Sequence, residues 1–463
     1  MKKFDVIVIG SGGGSKIISP AAKLGLKVAS IEKGPLGGTC LNRGCIPSKM
    51  LIYPADVALA VREARKFDIH NDPQFTVDFA KLITRISNTV DRDSQSIGAG
   101  YKRNANITYY ASEGKFIADK VISVGGEQIT ADKIFITVGA RPQVPSLPGL
   151  AGAPFMTSTE ALRNTTLPKK LIVLGGGYIA AELGFAYAAL GTEVHFLVRS
   201  TMLRHEDSQI AEEFLKVFSK YHSVHLAAVT TRVDHRDGTF TVSYTQDGQA
   251  KEISSDSLLV ATGIVPNTDT LNLKSTKIRL DQNGFVKVDD RLQTSVDGVY
   301  AFGDCIGRYF YRHTANFEGE YLFQNVIAQP SPAPISYPPV PHAVFTHPQV
   351  AGVGVTEEEA KEDGIDHVVG VNSYENSGMG MAMLADSGFV KIIIERSSRR
   401  ILGAHIVGPE ASDMIHMLIA FMNKDGTLDD LLRMIYIHPA LPEIVRNAAR
   451  KAKAALEQEA VKV

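Results

Sequence analysis

A strand, a glycine turn, a helix and a second strand follow one another twice in this chain, and that repeat limits the possible folds more than any other feature. Residues 4–9 form the first apolar strand, Gly10-Ser11-Gly12-Gly13-Gly14-Ser15 the turn, and residues 27–31 the second strand, which ends at Glu32, 22 residues after Gly10. The pattern returns at residues 170–174, with the turn Gly175-Gly176-Gly177 running into Tyr178-Ile179-Ala180 and a second strand over 193–198. Each copy is followed by a related apolar strand and turn, residues 134–142 with Gly139 and residues 258–266 with Gly263. Such units wind parallel sheets whose glycine turns open onto a helix N-terminus. The expected fold class is therefore α/β, with two Rossmann-like dinucleotide-binding domains.

At 463 residues the chain has room for about three domains. Residues 145–154, rich in proline, glycine and alanine, read as a connection. A third glycine turn follows at 299–305, and prolines 330, 332, 334, 338, 339 and 341 mark a crossing into a separate region. There, strands at 388–394 and 401–407 alternate with helical patterns at 356–363 and 411–421, an α+β domain. Residues 451–463 read as a fraying helix end. With 49 basic and 50 acidic residues the net charge is −1, so a basic surface for nucleic acid or acidic membrane is not expected. No apolar run approaches the ~20 residues that span a bilayer, and a cytoplasmic protein is expected. Three cysteines exclude a disulfide scaffold and an all-cysteine metal cage.

Each motif carries a physical reason. Gly10 and Gly12, with Gly14 beside them, let the backbone approach a pyrophosphate resting on the helix N-terminus, and Glu32 would accept hydrogen bonds from a ribose. Ser15 stands where a third glycine or alanine is usual. In the second copy, Gly175, Gly177 and Ala180 keep the pattern, but Val198 replaces the acid, with Arg199 next and Arg204 shortly after. Two arginines there suit a 2′-phosphate; two charge-assisted hydrogen bonds of ~1.5 kcal/mol each give roughly a hundredfold preference for NADP. The alternative is that both are solvated surface charges.

Cys40 and Cys45 lie in Gly37-Gly38-Thr39-Cys40-Leu41-Asn42-Arg43-Gly44-Cys45-Ile46-Pro47-Ser48-Lys49. Pro47 favours a helix beginning near Ile46, which puts Cys45 at an N-terminus where the dipole supports a thiolate. Cys40 is expected in the preceding loop, which must fold back for the sulfurs to meet. A redox pair is the leading reading; a metal pair lacks nearby His or Cys partners, and plain structural thiols are the bland alternative.

This stretch resembles the class I pyridine nucleotide–disulfide oxidoreductases, the flavoprotein family of dihydrolipoamide dehydrogenase, glutathione reductase, mycothione reductase and mercuric reductase. The resemblance covers essentially the whole chain. It implies FAD held by the first half, with Lys33, Gly38, Thr39, Gly139, Gly303 and Asp304 joining Gly10, Gly12, Gly14 and Glu32. It implies NAD(H) or NADP(H) in the second half, with Tyr178 as a gate and Gly263 among the contacts. Cys45 would face the flavin and Cys40 exchange with substrate, while Lys49 pairs with Glu182 near the flavin. In Ile437-His438-Pro439-Ala440-Leu441-Pro442-Glu443, His438 would be the acid–base group and Glu443 its orienting partner, although Pro-Glu is also an ordinary helix start. By the resemblance this histidine serves the partner subunit's cysteines, which implies a homodimer.

The implied domains are 1–147 (FAD), 148–270 (NAD(P)), 271–335 (a return to the FAD domain) and 336–463 (dimerisation). Cys305 is expected to be a packed thiol beside the flavin, and His342 and His347 to flank a packing strand. The ending of the chain, without cysteines, disfavours mercuric reductase. The cysteine box and residues 381–391 and 403–409 rank a dihydrolipoamide dehydrogenase-like enzyme first, acting on a lipoyl-carrying protein. Tyr178, Val198-Arg199 and the His-Pro-Ala-Leu-Pro-Glu ending favour the alternative, an NADPH-dependent reductase of a small disulfide of the mycothione or glutathione type. A non-catalytic flavoprotein scaffold is the reading from a different class.

Overall fold

The structure, a computed structural model, describes residues 1–70 and 75–460. The first glycine turn opens from the middle of a seven-stranded sheet. Its parallel centre runs Ile107–Tyr110, Val28–Ile31, Lys2–Ile9, Glu127–Ile136. Val6 to Ile9 and Val28 to Ile31 are buried, as strands covered on both faces must be. The long strand Glu127–Ile136 is shared along its length. Its first part pairs antiparallel with Val121–Val124, and its second part pairs parallel with Val299–Ala301, at Val299↔Ile134 and Ala301↔Ile136. A segment more than 150 residues downstream of that strand thus returns to complete the sheet.

Between these visits the chain builds a second parallel sheet, ordered Ser223–His225, Glu193–Leu197, Lys170–Leu174, Ser257–Val260. An antiparallel trio, Val229–Arg236, Thr239–Gln246 and Gln249–Ser255, lies beside it. The stretch read as one strand over 258–266 is two: the chain breaks at Gly263, and Ile264–Pro266 pairs with Ala140–Pro142 to tie the two halves together. Helix Tyr178–Ala189 is apolar nearly all round and buried, because it packs both on its own sheet and on helix Cys45–Glu63 of the first half.

Residues 329–340 carry no regular element and lead to a five-stranded antiparallel sheet, Pro341–Val344, Val350–Gly354, Ile401–Val407, Phe389–Glu395, His367–Ser373. Helices Ala411–Met422 and Pro442–Ala460 cover it. His342 lies within the first of these strands and does not flank it. The stretch expected to fray from Lys451 is regular helix to Ala460, since Ala448, Ala449 and Ala452 are buried against the sheet; residues 461–463 lie outside the described residues.

Buried charge joins this domain to the second sheet. Lys391 Nζ sits 2.9 and 2.8 Å from the Asp207 oxygens and 2.6 Å from Glu357 Oε2, with Lys391 and Asp207 fully buried. Asp207 also accepts from Gln209 N at the start of helix Ser208–Tyr221, and the neighbouring Glu206 meets His342 Nε2 at 2.7 Å.

Among the described residues one helical stretch, Gly38–Phe67, is long and apolar enough to cross a membrane by length and composition. It is not an uninterrupted apolar run, since Lys49 and Asp56 stand within it. In the fold it buries Leu51, Ile52, Ala55 and Ala58 against the protein core and is broken at Gly44.

Candidate active site

Two glycine turns touch where the first half would hold a dinucleotide. Gly10 has φ of +106°, and a Cβ there would lie 2.3 Å from the Thr137 carbonyl oxygen. Gly38 has φ of +67°, and its Cβ would lie 2.5 Å from Gly12 Cα. Only glycine fits either position. The close helix–strand approach assigned to the third motif glycine is made by Gly14, whose Cβ would meet Gly10 O at 2.2 Å. Ser15 is therefore tolerated, and its hydroxyl donates to Gly12 O at 2.8 Å. Glu32 fastens the turns: it accepts from Ser11 N and Oγ at 3.0 and 2.9 Å and from Gly34 N at 2.9 Å, while Ser11 Oγ receives Gly37 N.

Asp304 stands at the third glycine turn. Burial, then repulsion from Glu318, pushes its carboxyl up to about 6. Glu318 was not foreseen. Buried on helix Arg312–Leu322, it accepts from Gly303 N at 2.7 Å and from the Tyr337 hydroxyl at 2.6 Å, so the proline-rich crossing braces the turn. Of the other residues assigned to this cradle, Thr39 is exposed, Gly139 is half-buried with φ of +64°, and Lys33 is exposed and pairs with Glu113 at 3.1 Å. The packed glycines leave the narrow backbone cradle that a pyrophosphate requires, and so fit FAD.

Cys40 is not in a loop. Gly37 and Gly38 take left-handed turns that launch a short helix, Gly38–Arg43, which carries it. The Asn42 amide donates to the carbonyls of Leu36 and Gly38 at 2.9 and 3.0 Å and pins that helix. Gly44 breaks it, and Cys45 opens the next helix, Cys45–Glu63. The break brings the two sulfurs, both thiols in this structure, into hydrogen-bond contact. Cys45 donates, so its own thiol is pushed up, while the Cys40 thiol is lowered to about 7 by that bond, with help from the charges of Arg312 and Lys49.

One turn along, Lys49 Nζ lies 2.7 and 2.9 Å from the Glu182 carboxylate and 4.2 Å from the Phe345 ring centroid. Glu182 is buried, which raises its pKa against the pull of Lys49, and it also accepts from Phe345 N. Phe345 was likewise not foreseen. Tyr178, four residues before Glu182, stays 41% exposed at the mouth of this group.

His438 and Glu443 meet each other but not the cysteines of their own chain. His438 Nδ1 is 3.1 and 3.0 Å from the Glu443 oxygens. Glu443 is buried, and burial opposes its charge, yet Ala440 N, His438 and Arg446 hold its carboxyl below the usual range. His438 itself is 75% exposed, between Ile435 at 99% and Ile437 at 81%. Glu443 does open helix Pro442–Ala460, so the helix-start reading and the pairing both hold.

In the second half, Gly175 turns with φ of +129° and a Cβ on Gly177 would meet only open space. Ala180 is buried, and Gly263 is exposed beside Gln143. Arg199 and Arg204 are both exposed, just past strand Glu193–Leu197, and Arg204 Nε donates to His205 at 3.1 Å. Cys305, by contrast, is fully buried, donates to the Phe302 carbonyl and is pushed up to about 12 by burial. It has no place in exchange chemistry.

A fold with two glycine-cradle sheets, a cysteine pair at a helix N-terminus and an antiparallel third domain defines a flavoprotein disulfide oxidoreductase. The chain belongs to the pyridine nucleotide-disulphide oxidoreductase family, whose profile matches residues 4–319, with the family's dimerisation domain at 340–449. It is 37% identical to mycothione reductase of Mycobacterium tuberculosis, over 97% of this chain and 99% of that one. It is 34% identical to dihydrolipoyl dehydrogenase of Haloferax volcanii, over 97% and 96%. Among solved structures, the HOCl-induced flavoprotein disulfide reductase RclA of Escherichia coli superposes with a TM-score of 0.84 at 27% identity, covering 97% of this chain and 99% of that one. Members use FAD and a nicotinamide nucleotide.

Proposed function

We propose that the protein is an NADPH-dependent reductase of a low-molecular-weight disulfide of the mycothione or glutathione type. The observation that carries this reading is the exposed Arg199 and Arg204 past strand Glu193–Leu197, where Val198 replaces the acid that would bind an unphosphorylated ribose. NADPH pools are kept reduced, which drives disulfides toward thiols. The similarity to mycothione reductase supports the same direction.

Bound FAD would relay an electron pair between the nicotinamide and the Cys40–Cys45 disulfide. Lys49, held by Glu182, would place positive charge where electrons accumulate. Once reduced, Cys40, whose thiol is lowered to about 7, attacks one sulfur of the substrate disulfide and releases one thiol. Cys45 then attacks Cys40 in the mixed disulfide, releasing the second thiol and restoring the protein disulfide. His438, oriented by Glu443, would protonate the first departing thiolate, then take the proton that Cys45 loses on attack and pass it to the second.

Because His438 and its apolar neighbours Ile435 and Ile437 are exposed, and His438 contacts Glu443 rather than a cysteine, the reading includes a homodimer in which each histidine serves the other chain. The exposed Ile46, Tyr53 and Val57 on helix Cys45–Glu63 suit the same pairing.

The second reading is a dihydrolipoamide dehydrogenase-like enzyme of a lipoyl-carrying protein. It is supported by the cysteine box and by the similarity to dihydrolipoyl dehydrogenases. A matrix of NADPH and NADH against glutathione disulfide, mycothiol disulfide and lipoamide separates the two. The proposal expects NADPH to exceed NADH by about a hundredfold in kcat/KM, with a small disulfide as best substrate. NADH with lipoamide as the fastest pair would replace it with the second reading.

A further inference from the structure

Apart from the charge by which it helps to lower the Cys40 thiol, Arg312 has no part in the reaction as described, yet its placement demands one. It is the first residue of helix Arg312–Leu322 and is half-buried. Its Nη1 lies 3.6 Å from the point where a Cβ on Gly12 would stand, and Gly38 Cα lies 3.5 Å from that same point. The guanidinium therefore sits over the seam between the two glycine turns. Other half-buried arginines have partners: Arg163 forks onto Asp91, and Arg446 reaches Glu443. The Arg312 guanidinium makes no hydrogen bond or ion pair with any described residue. A guanidinium taken partly out of water without a partner is unfavourable. Its planar fork matches two oxygens of one anion.

We propose that Arg312 is a cofactor-binding residue whose guanidinium pairs with the pyrophosphate of FAD across the Gly12–Gly38 seam. The placement explains how a diphosphate is accepted beside the carboxyl of Asp304 and the acid Glu318. One cation offsets the acids where the backbone N–H groups of the turns alone would meet them. The charge of Arg312 also reaches Asp304 and Cys40. The inference rests on family membership for the presence of FAD, and on this chain's own geometry for the contact.

The test compares wild-type, Arg312→Ala and Arg312→Lys proteins stripped of flavin. Three quantities are measured: the Kd for FAD by flavin-fluorescence quenching, the melting temperature of the flavin-free protein, and the flavin midpoint potential after reloading. Losing a charge-assisted bidentate contact should raise the Kd at least about tenfold in Arg312→Ala, with a smaller rise in Arg312→Lys. The flavin-free melting temperature and the midpoint potential should stay at the wild-type values. A Kd within twofold of wild type would overturn the proposal. So would a weaker Kd accompanied by an equal loss of flavin-free stability, which would make Arg312 a structural residue. A wild-type protein that retains no FAD would instead indict the flavoprotein reading itself.

Discussion

Cys40 and Cys45 are five residues apart and chemically unequal. Cys45 donates to Cys40, and the positive charges of Arg312 and Lys49 favour the Cys40 thiolate over its thiol, against the cost of burial. With its pKa lowered to about 7, the thiolate fraction of Cys40 grows as pH rises through neutrality. In reduced protein, alkylation by iodoacetamide should therefore fall first on Cys40, with a rate inflection near pH 7. In Cys45→Ala the donor is gone, and the inflection should move up toward the ordinary thiol value. Peptide mapping of the labelled site at each pH checks both expectations; an inflection unmoved by the substitution would show that the hydrogen bond does not tune Cys40.

The elements around these residues were only partly legible in sequence. The two glycine turns, the second strand ending at Glu32 and the Lys49–Glu182 pairing follow from local patterns or from the family motif. The short helix under Cys40 does not, because Gly37 and Gly38 read as loop signals; their left-handed turns launch a helix that the Asn42 side chain then pins. Phe345, Glu318, Tyr337 and Arg312 escaped for a different reason. Each lies more than 100 residues from the cysteines along the chain, so no spacing links it to them. The same holds for the buried Lys391–Asp207–Glu357 cluster, which locks the N-terminus of helix Ser208–Tyr221 onto strand Phe389–Glu395. Lys391→Met would leave Asp207 buried and uncompensated, so a loss of about 3–5 kcal/mol is expected. Denaturant unfolding followed by intrinsic fluorescence should show the first transition at a clearly lower midpoint. An unchanged midpoint would mean that Asp207 is adequately held by the backbone N–H groups it caps.

At the scale of the whole molecule, the chain passes twice through its first sheet. Val299–Ala301 closes the sheet that Lys2–Ile9 begins, and this return carries Gly303 and Asp304 to the cradle. The third domain presents His438, backed by the buried Glu443, between the exposed Ile435 and Ile437. The central claim is that Cys40 and Cys45 exchange electrons with a nicotinamide nucleotide. Its most direct measurement is a thiol count on oxidised, FAD-loaded protein, denatured and alkylated before and after anaerobic addition of NADPH. A gain of two thiols per chain is expected, mapped by mass spectrometry to Cys40 and Cys45, with Cys305 a free thiol in both samples. No gain on NADPH or NADH, or a gain confined to other positions, would contradict it.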